Sequence, residues 1–112
     1  MSIALIVTSP KTPLTSSIYL PVATEDFFNG IWQPGIEALG LQWLGLFRAG
    51  ADIDREYFRD VSVELEKLRE WFQKSTMEQQ DAQLAISRID GLTAQLEVLR
   101  KDIAGHLSIF IG

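Results

Sequence analysis

The chain contains no cysteine, which excludes disulfide bonds and thiolate metal sites outright. It has one histidine, His106. Nucleophilic triads and most zinc sites need a histidine with partners, and Asp102 is the only partner near it in sequence. His106 is therefore expected to be a structural or surface residue. No phosphate-cradling glycine motif occurs. Gly40, Gly45 and Gly50 fall at intervals of five, which matches no nucleotide fingerprint. Asp52, Asp54 and Glu56 alternate as the first ligands of a calcium loop do, but the glycine and distant bidentate glutamate of an EF-hand are missing at the required spacing. No metal and no cofactor are expected, and the chain is expected not to be an enzyme.

Long apolar runs are missing as well. The run near the N-terminus, Ile3 to Val7, has no basic residue before it and is too short for the core of a signal peptide. No segment approaches the ~20 apolar residues that span a bilayer. The expectation is a cytoplasmic protein that does not enter a membrane. Positive charge is also scarce, with 10 basic residues against 15 acidic ones and a formal net charge of −5. Nucleic-acid binding needs clustered Lys and Arg, whereas these are scattered and mostly stand beside an acid, so no nucleic-acid partner is expected. An acidic surface suits a basic partner, although solubility alone is a commoner reason for a modest negative charge.

What is present is an ordinary globular composition. At 112 residues, with 46% apolar and 22% charged residues, residues 1–112 form one domain around one core. Ile3 to Val7 reads as a buried strand, and "TSPKTPLTS" as a loop. A second strand over Ser17 to Val22 is confined by Pro21 to a sheet edge or to the strand's last residues. Thr24 is an N-cap ahead of Glu25 and Asp26, opening a helix that carries Phe27, Phe28, Ile31 and Trp32. Asn29-Gly30 and Pro34-Gly35 interrupt this helix, so it should be kinked or split, and Gly40 should end it. "LQWLGLF", Leu41 to Phe47, is apolar at nearly every position and reads as a central strand with Gly45 as a bulge or close approach.

The strongest pattern follows. Phe58, Val61, Leu65, Leu68 and Phe72 recur at threes and fours, the buried stripe of an α-helix capped by Asp52 or Asp54 and ending near Lys74. Ser75-Thr76-Met77-Glu78 matches a capping box. It would open a last helix carrying Ala82, Ile86, Ile89, Leu92, Leu96, Leu99 and Ile103, closed by Gly105. "HLSIFI" then reads as a final strand, its rival being an unbroken helix to residue 110. The fold expected is α+β, a small, mostly antiparallel sheet of three or four strands packed against two long amphipathic helices.

On the first long helix Asp52, Glu56, Asp60 and Glu64 recur at steps of four, and like charges at that spacing repel. Arg55, Arg59 and Lys67, each three residues after an acid, relieve part of this. The column points away from the apolar stripe, into solvent, either as an ordinary solvated face or as a surface kept acidic for a partner. Tyr57 and Trp71 lie at the margins of the stripe, where a partly exposed aromatic residue serves as an interface anchor or packs on its neighbours. Asp52, Glu56, Asp60, Glu64, Tyr57 and Trp71 are thus the candidate partner-binding residues.

The size, the acidity, the aromatic first helix "DFFNGIW" and the long helix after a glycine-containing turn, "RAGADIDREYF…VELEKLREWF", resemble the small immunity proteins of bacterial polymorphic toxin systems, in particular the immunity-seventy family. The resemblance spans residues 17 to 105. It implies a cytosolic protein that binds and occludes a cognate, basic toxin domain without a cofactor. It assigns no binding residue. Two other classes remain open, a homodimeric structural or adaptor protein and a small-ligand-binding domain with its ligand among Trp32, Trp43 and Phe47.

Overall fold

The computed structural model describes residues 2–7, 19–76, 78–101 and 108–112. Strand β1 (Ser2–Val7) is followed by β2 (Tyr19–Thr24) and by helix α1, which is α-helical over Glu25–Phe27, a π turn over Phe28–Trp32, and α-helical again over Gln33–Leu39. A short helix α2 (Gln42–Gly45), strand β3 (Ala51–Asp54) and a 3-10 turn (Arg55–Tyr57) lead into the long helix α3 (Phe58–Lys74). Helix α4 (Gln79–Arg100) and strand β4 (Ser108–Ile111) complete the described chain. The four strands form one sheet in the order β2-β1-β4-β3, every neighbouring pair antiparallel. The protein is α+β, as its sequence predicts.

Side chains alternate across the sheet. On β3 Ala51 and Ile53 are buried while Asp52 is exposed, and Ile109 and Ile111 are buried on β4. This period of two is what a strand with one covered face requires. Pro21 does sit on an edge strand, and the register slips there. Ile3 pairs with Ala23 but Ala4 with Pro21, so Val22 is the extra residue of a bulge. Arg88 on α4 donates to the Pro21 carbonyl at 3.4 Å. Proline and that arginine together block this edge against strand addition.

The helical expectations hold in most particulars. Phe58, Val61, Leu65, Leu68 and Phe72 are all buried on α3, which ends at Lys74. On α4 Ala82, Ala85, Ile89, Leu92, Leu96 and Leu99 are buried, with Ile86 only partly so. Thr24 caps α1 by accepting from the Phe27 N–H at 3.2 Å. Gly40 closes it in the left-handed region, φ 64°, with the Gly40 N–H donating to Glu37 and the Leu41 N–H to Ile36. This is the glycine-terminated motif expected there. β4 is a strand rather than an extension of the helix; Ile103, Gly105, and the pair Asp102 and His106 lie outside the described residues.

Three readings are corrected. "LQWLGLF" is not a central strand: α2 occupies Gln42–Gly45 and a turn follows. Its buried residues are Leu41, Leu44 and Phe47, spaced by threes, which is helical rather than strand spacing. The strand comes one segment later, at Ala51–Asp54, so neither Asp52 nor Asp54 opens a regular α-helix. α4 starts at Gln79 with Glu78 as its N-cap, and Ser75 is the C-cap of α3, so the box over residues 75–78 spans the join between two helices. The interruption expected in α1 at Asn29-Gly30 is present, as a change of helix type rather than a break. A π turn carries it past Asn29-Gly30, the Gln33 N–H reaching five residues back to the Phe28 carbonyl, just before Pro34, which has no N–H to give.

Candidate partner-binding surface

Taking ~100° per residue, Tyr57, Asp60, Glu64 and Trp71 fall on one flank of α3 and Ser62, Glu66 and Arg69 on the other. The structure uses the two flanks differently. The first flank holds α1 and α2, and the second lies against α4.

Glu64 is the centre of the first flank. Its two carboxylate oxygens accept the Trp43 N–H at 3.2 Å and the Leu44 N–H at 3.1 Å. Those are first-turn donors of α2, which have no partner inside a helix. Leu41, the N-cap residue, offers no side-chain acceptor, so a carboxylate about twenty positions away caps the helix instead. Seven residues before Glu64, Tyr57 packs on Trp43 with ring centroids 5.3 Å apart at 39°. Seven residues after it, Trp71 lies over Gly35 of α1 and meets Phe72 edge-on at 5.3 Å. Tyr57, Glu64 and Trp71 form a line that fastens α1 and α2 to α3.

Four acids in one solvated column are therefore not what the chain builds. Asp52 stands on β3, exposed and paired across the sheet with Phe110. Glu56 is exposed in the 3-10 turn and Asp60 is exposed on α3, while Glu64 is half-buried and turned onto α2. Only Glu56 and Asp60 remain as solvated neighbours four apart. Of the aromatic candidates, Trp71 is half-buried over a glycine, whereas Tyr57 stays 40% exposed. Sequence reasoning misses Trp43 as a surface residue, because a central strand would bury it. The spacing of Leu41, Leu44 and Phe47, with Trp43 off that line, is the signal that could have found it.

Charge is distributed unequally. Residues 24–64 hold eight acids and three bases, the whole of the chain's −5, whereas residues 65–101 hold six of each. α1, α2, β3 and the first half of α3 thus make the acidic part of the molecule, and the exposed edge of the Trp43–Tyr57 pair lies in it. The second half is balanced by ion pairs. Arg69 chelates Asp90, with Nε to Oδ1 at 2.8 Å, which raises the Arg69 pKa through that hydrogen bond and charge. Arg100 meets Glu97 at 2.8 Å and holds its carboxyl below the ordinary value, with Lys101 at 3.5 Å assisting.

Trp32 and Phe47 are fully buried, Trp32 stacked on Phe28 at 5.5 Å, and Trp43 is half-buried with its ring against Tyr57. The three residues proposed to enclose a small ligand belong to one hydrophobic cluster, Trp32 and Phe47 inside it and Trp43 partly buried against it. Among the described residues no group of three or more His, Cys, Asp or Glu is placed to hold a metal ion, and Asp52, Asp54 and Glu56 run along a strand and a turn. No described helix is long and apolar enough to cross a membrane. Comparison with protein families, with curated proteins and with solved structures finds no match for this chain.

Proposed function

We propose that this is a non-catalytic binding protein of the immunity type, which neutralises a basic protein toxin by occluding it in the cytoplasm. The observation that supports the reading best is the coincidence of the chain's entire net charge with an exposed aromatic edge. Residues 24–64 carry the −5, and within them Tyr57 and Trp43 form a pair partly open to solvent. A surface of one sign attracts a partner of the other over about a Debye length, ~8 Å at physiological salt, and raises the association rate. An aromatic pair then supplies contact area that excludes water and slows release. Asp52, Glu56 and Asp60 provide the charge and Tyr57 with Trp43 the anchor. Glu64 and Trp71 act from beneath, by holding α2 and α1 in place.

The adjacent gene supplies the test. Co-expressed with a toxic product of that gene, this chain restores growth and co-purifies with the product as a stoichiometric complex. Failure to bind or protect against the product of either flanking gene overturns the immunity reading.

A further inference from the structure

The flank of α3 opposite the acidic surface meets α4 along a shallow groove, independent of the function proposed above. Two depressions follow one another along it, of about 410 Å³ and 340 Å³, and Ser62 lines both. The larger contains Glu66, Arg69 and Asp90, the smaller Arg59, Glu97 and Arg100. One end of the groove therefore carries one excess negative charge and the other one excess positive charge, with Ser62 between them. Val63, 44% exposed, lines the larger depression, and Val98 of α4 is 65% exposed.

We infer that this groove is the contact face for a second copy of the chain, docked about a two-fold axis close to Ser62. A two-fold rotation there lays the Arg59–Arg100 end of each copy on the Glu66–Asp90 end of the other. That is the self-complementarity an isologous interface requires. The location also suits a molecule of charge −5, because the charged side chains lining the groove, Arg59, Glu66, Arg69, Asp90, Glu97 and Arg100, sum to zero. Size bounds the class of interface. α3 has 17 residues and α4 has 22, so the two helices, about 25 and 33 Å long and about 10 Å wide, offer roughly 500–600 Å² per copy. Twice that lies at the low end of specific interfaces. An interface of that size fits a reversible dimer rather than an obligate one, and it leaves Tyr57 and Asp60, on the other flank of α3, free.

Because the chain has no cysteine, a Ser62→Cys variant carries one thiol, next to the axis. A short bis-maleimide is expected to link this variant into a covalent dimer in much higher yield than a Thr76→Cys control, whose thiol lies at the α3–α4 connection. Sedimentation equilibrium of the unmodified chain should show the mass rising with concentration from 12.6 kDa to twice that. Arg59→Glu should raise the midpoint at least tenfold, and adding Glu66→Arg to it should restore the midpoint, with circular dichroism confirming that each variant folds. A chain that stays monomeric to millimolar concentration overturns the inference. So does a dimer that crosslinks no better through Ser62 than through Thr76, or one indifferent to Arg59→Glu.

Discussion

Glu64 occupies a position that charge spacing alone assigns to solvent, and it ends as the cap of a helix it does not belong to. A carboxylate accepting two backbone N–H groups forms charge-assisted bonds, worth more than neutral ones. Leaving those donors without the carboxylate is correspondingly costly. Glu64→Ala is expected to lower stability by about 1–3 kcal/mol, and Glu64→Gln, which keeps one acceptor oxygen, by clearly less. Denaturant titration of both variants checks this, and a loss for alanine equal to that of an exposed Glu56→Ala would contradict it. The cap is not legible in the sequence, since Glu64 and Trp43 meet only through the tertiary fold. Asp60 and Glu56, whose partner is water, are legible as solvated residues from spacing alone.

Among the elements, legibility follows burial. α3 and α4 bury continuous stripes, so their periods and the positions of their core residues can be read from the order of the amino acids. The two edge signals, Pro21 and Gly40, are readable for a different reason, because each restricts the backbone directly. α2 is not. Four residues are too few to establish a period, and an apolar run of that length suits a strand equally well. α1 is readable at its ends, and an interruption at Asn29-Gly30 is readable too, though not its form, a π turn along which the buried Asn29 Oδ1, Trp32 Nε1 and Gln33 Oε1 have no hydrogen-bond partner among the described residues. That turn is held by packing, Phe28 on Trp32 and Trp32 against Phe72 at 6.4 Å. The approach of α1 to α3 depends on Gly35, where an added Cβ would stand 2.7 Å from both Leu68 Cδ1 and Trp71 Cε3. Gly35→Ala is therefore expected to destabilise by about 1–3 kcal/mol, even though alanine is the better helix former. Pairing it with Trp71→Leu should recover part of the loss in a double-mutant cycle. Additive losses would mean that the two residues do not share this contact.

At the scale of the whole molecule, two unlike sides share one core. The fold class is legible in the sequence, and so is an acidic character, but the position of the acidic surface is not. The column expected on one helix is dispersed, because β3 takes Asp52 and α2 takes Glu64, and only Glu56 and Asp60 stay side by side in solvent. Of the six candidate residues, Asp52, Glu56, Asp60 and Tyr57 are exposed, Asp52 on the open face of the sheet, while Glu64 and Trp71 are half-buried. On the function proposed above, charge at Glu56 and Asp60 governs how fast a basic partner is found. The most direct test is the association rate constant of a Glu56→Lys, Asp60→Lys chain with the product of the neighbouring gene, measured across salt concentrations beside thermal melts. Both positions are exposed, so the melts should hardly change. Association should be roughly tenfold slower at low salt, converging with the unmodified chain as salt rises, with a nearly unchanged dissociation rate. An association rate equal to that of the unmodified chain at low salt would contradict this reading, and would reduce the acidic side to an ordinary solvated surface.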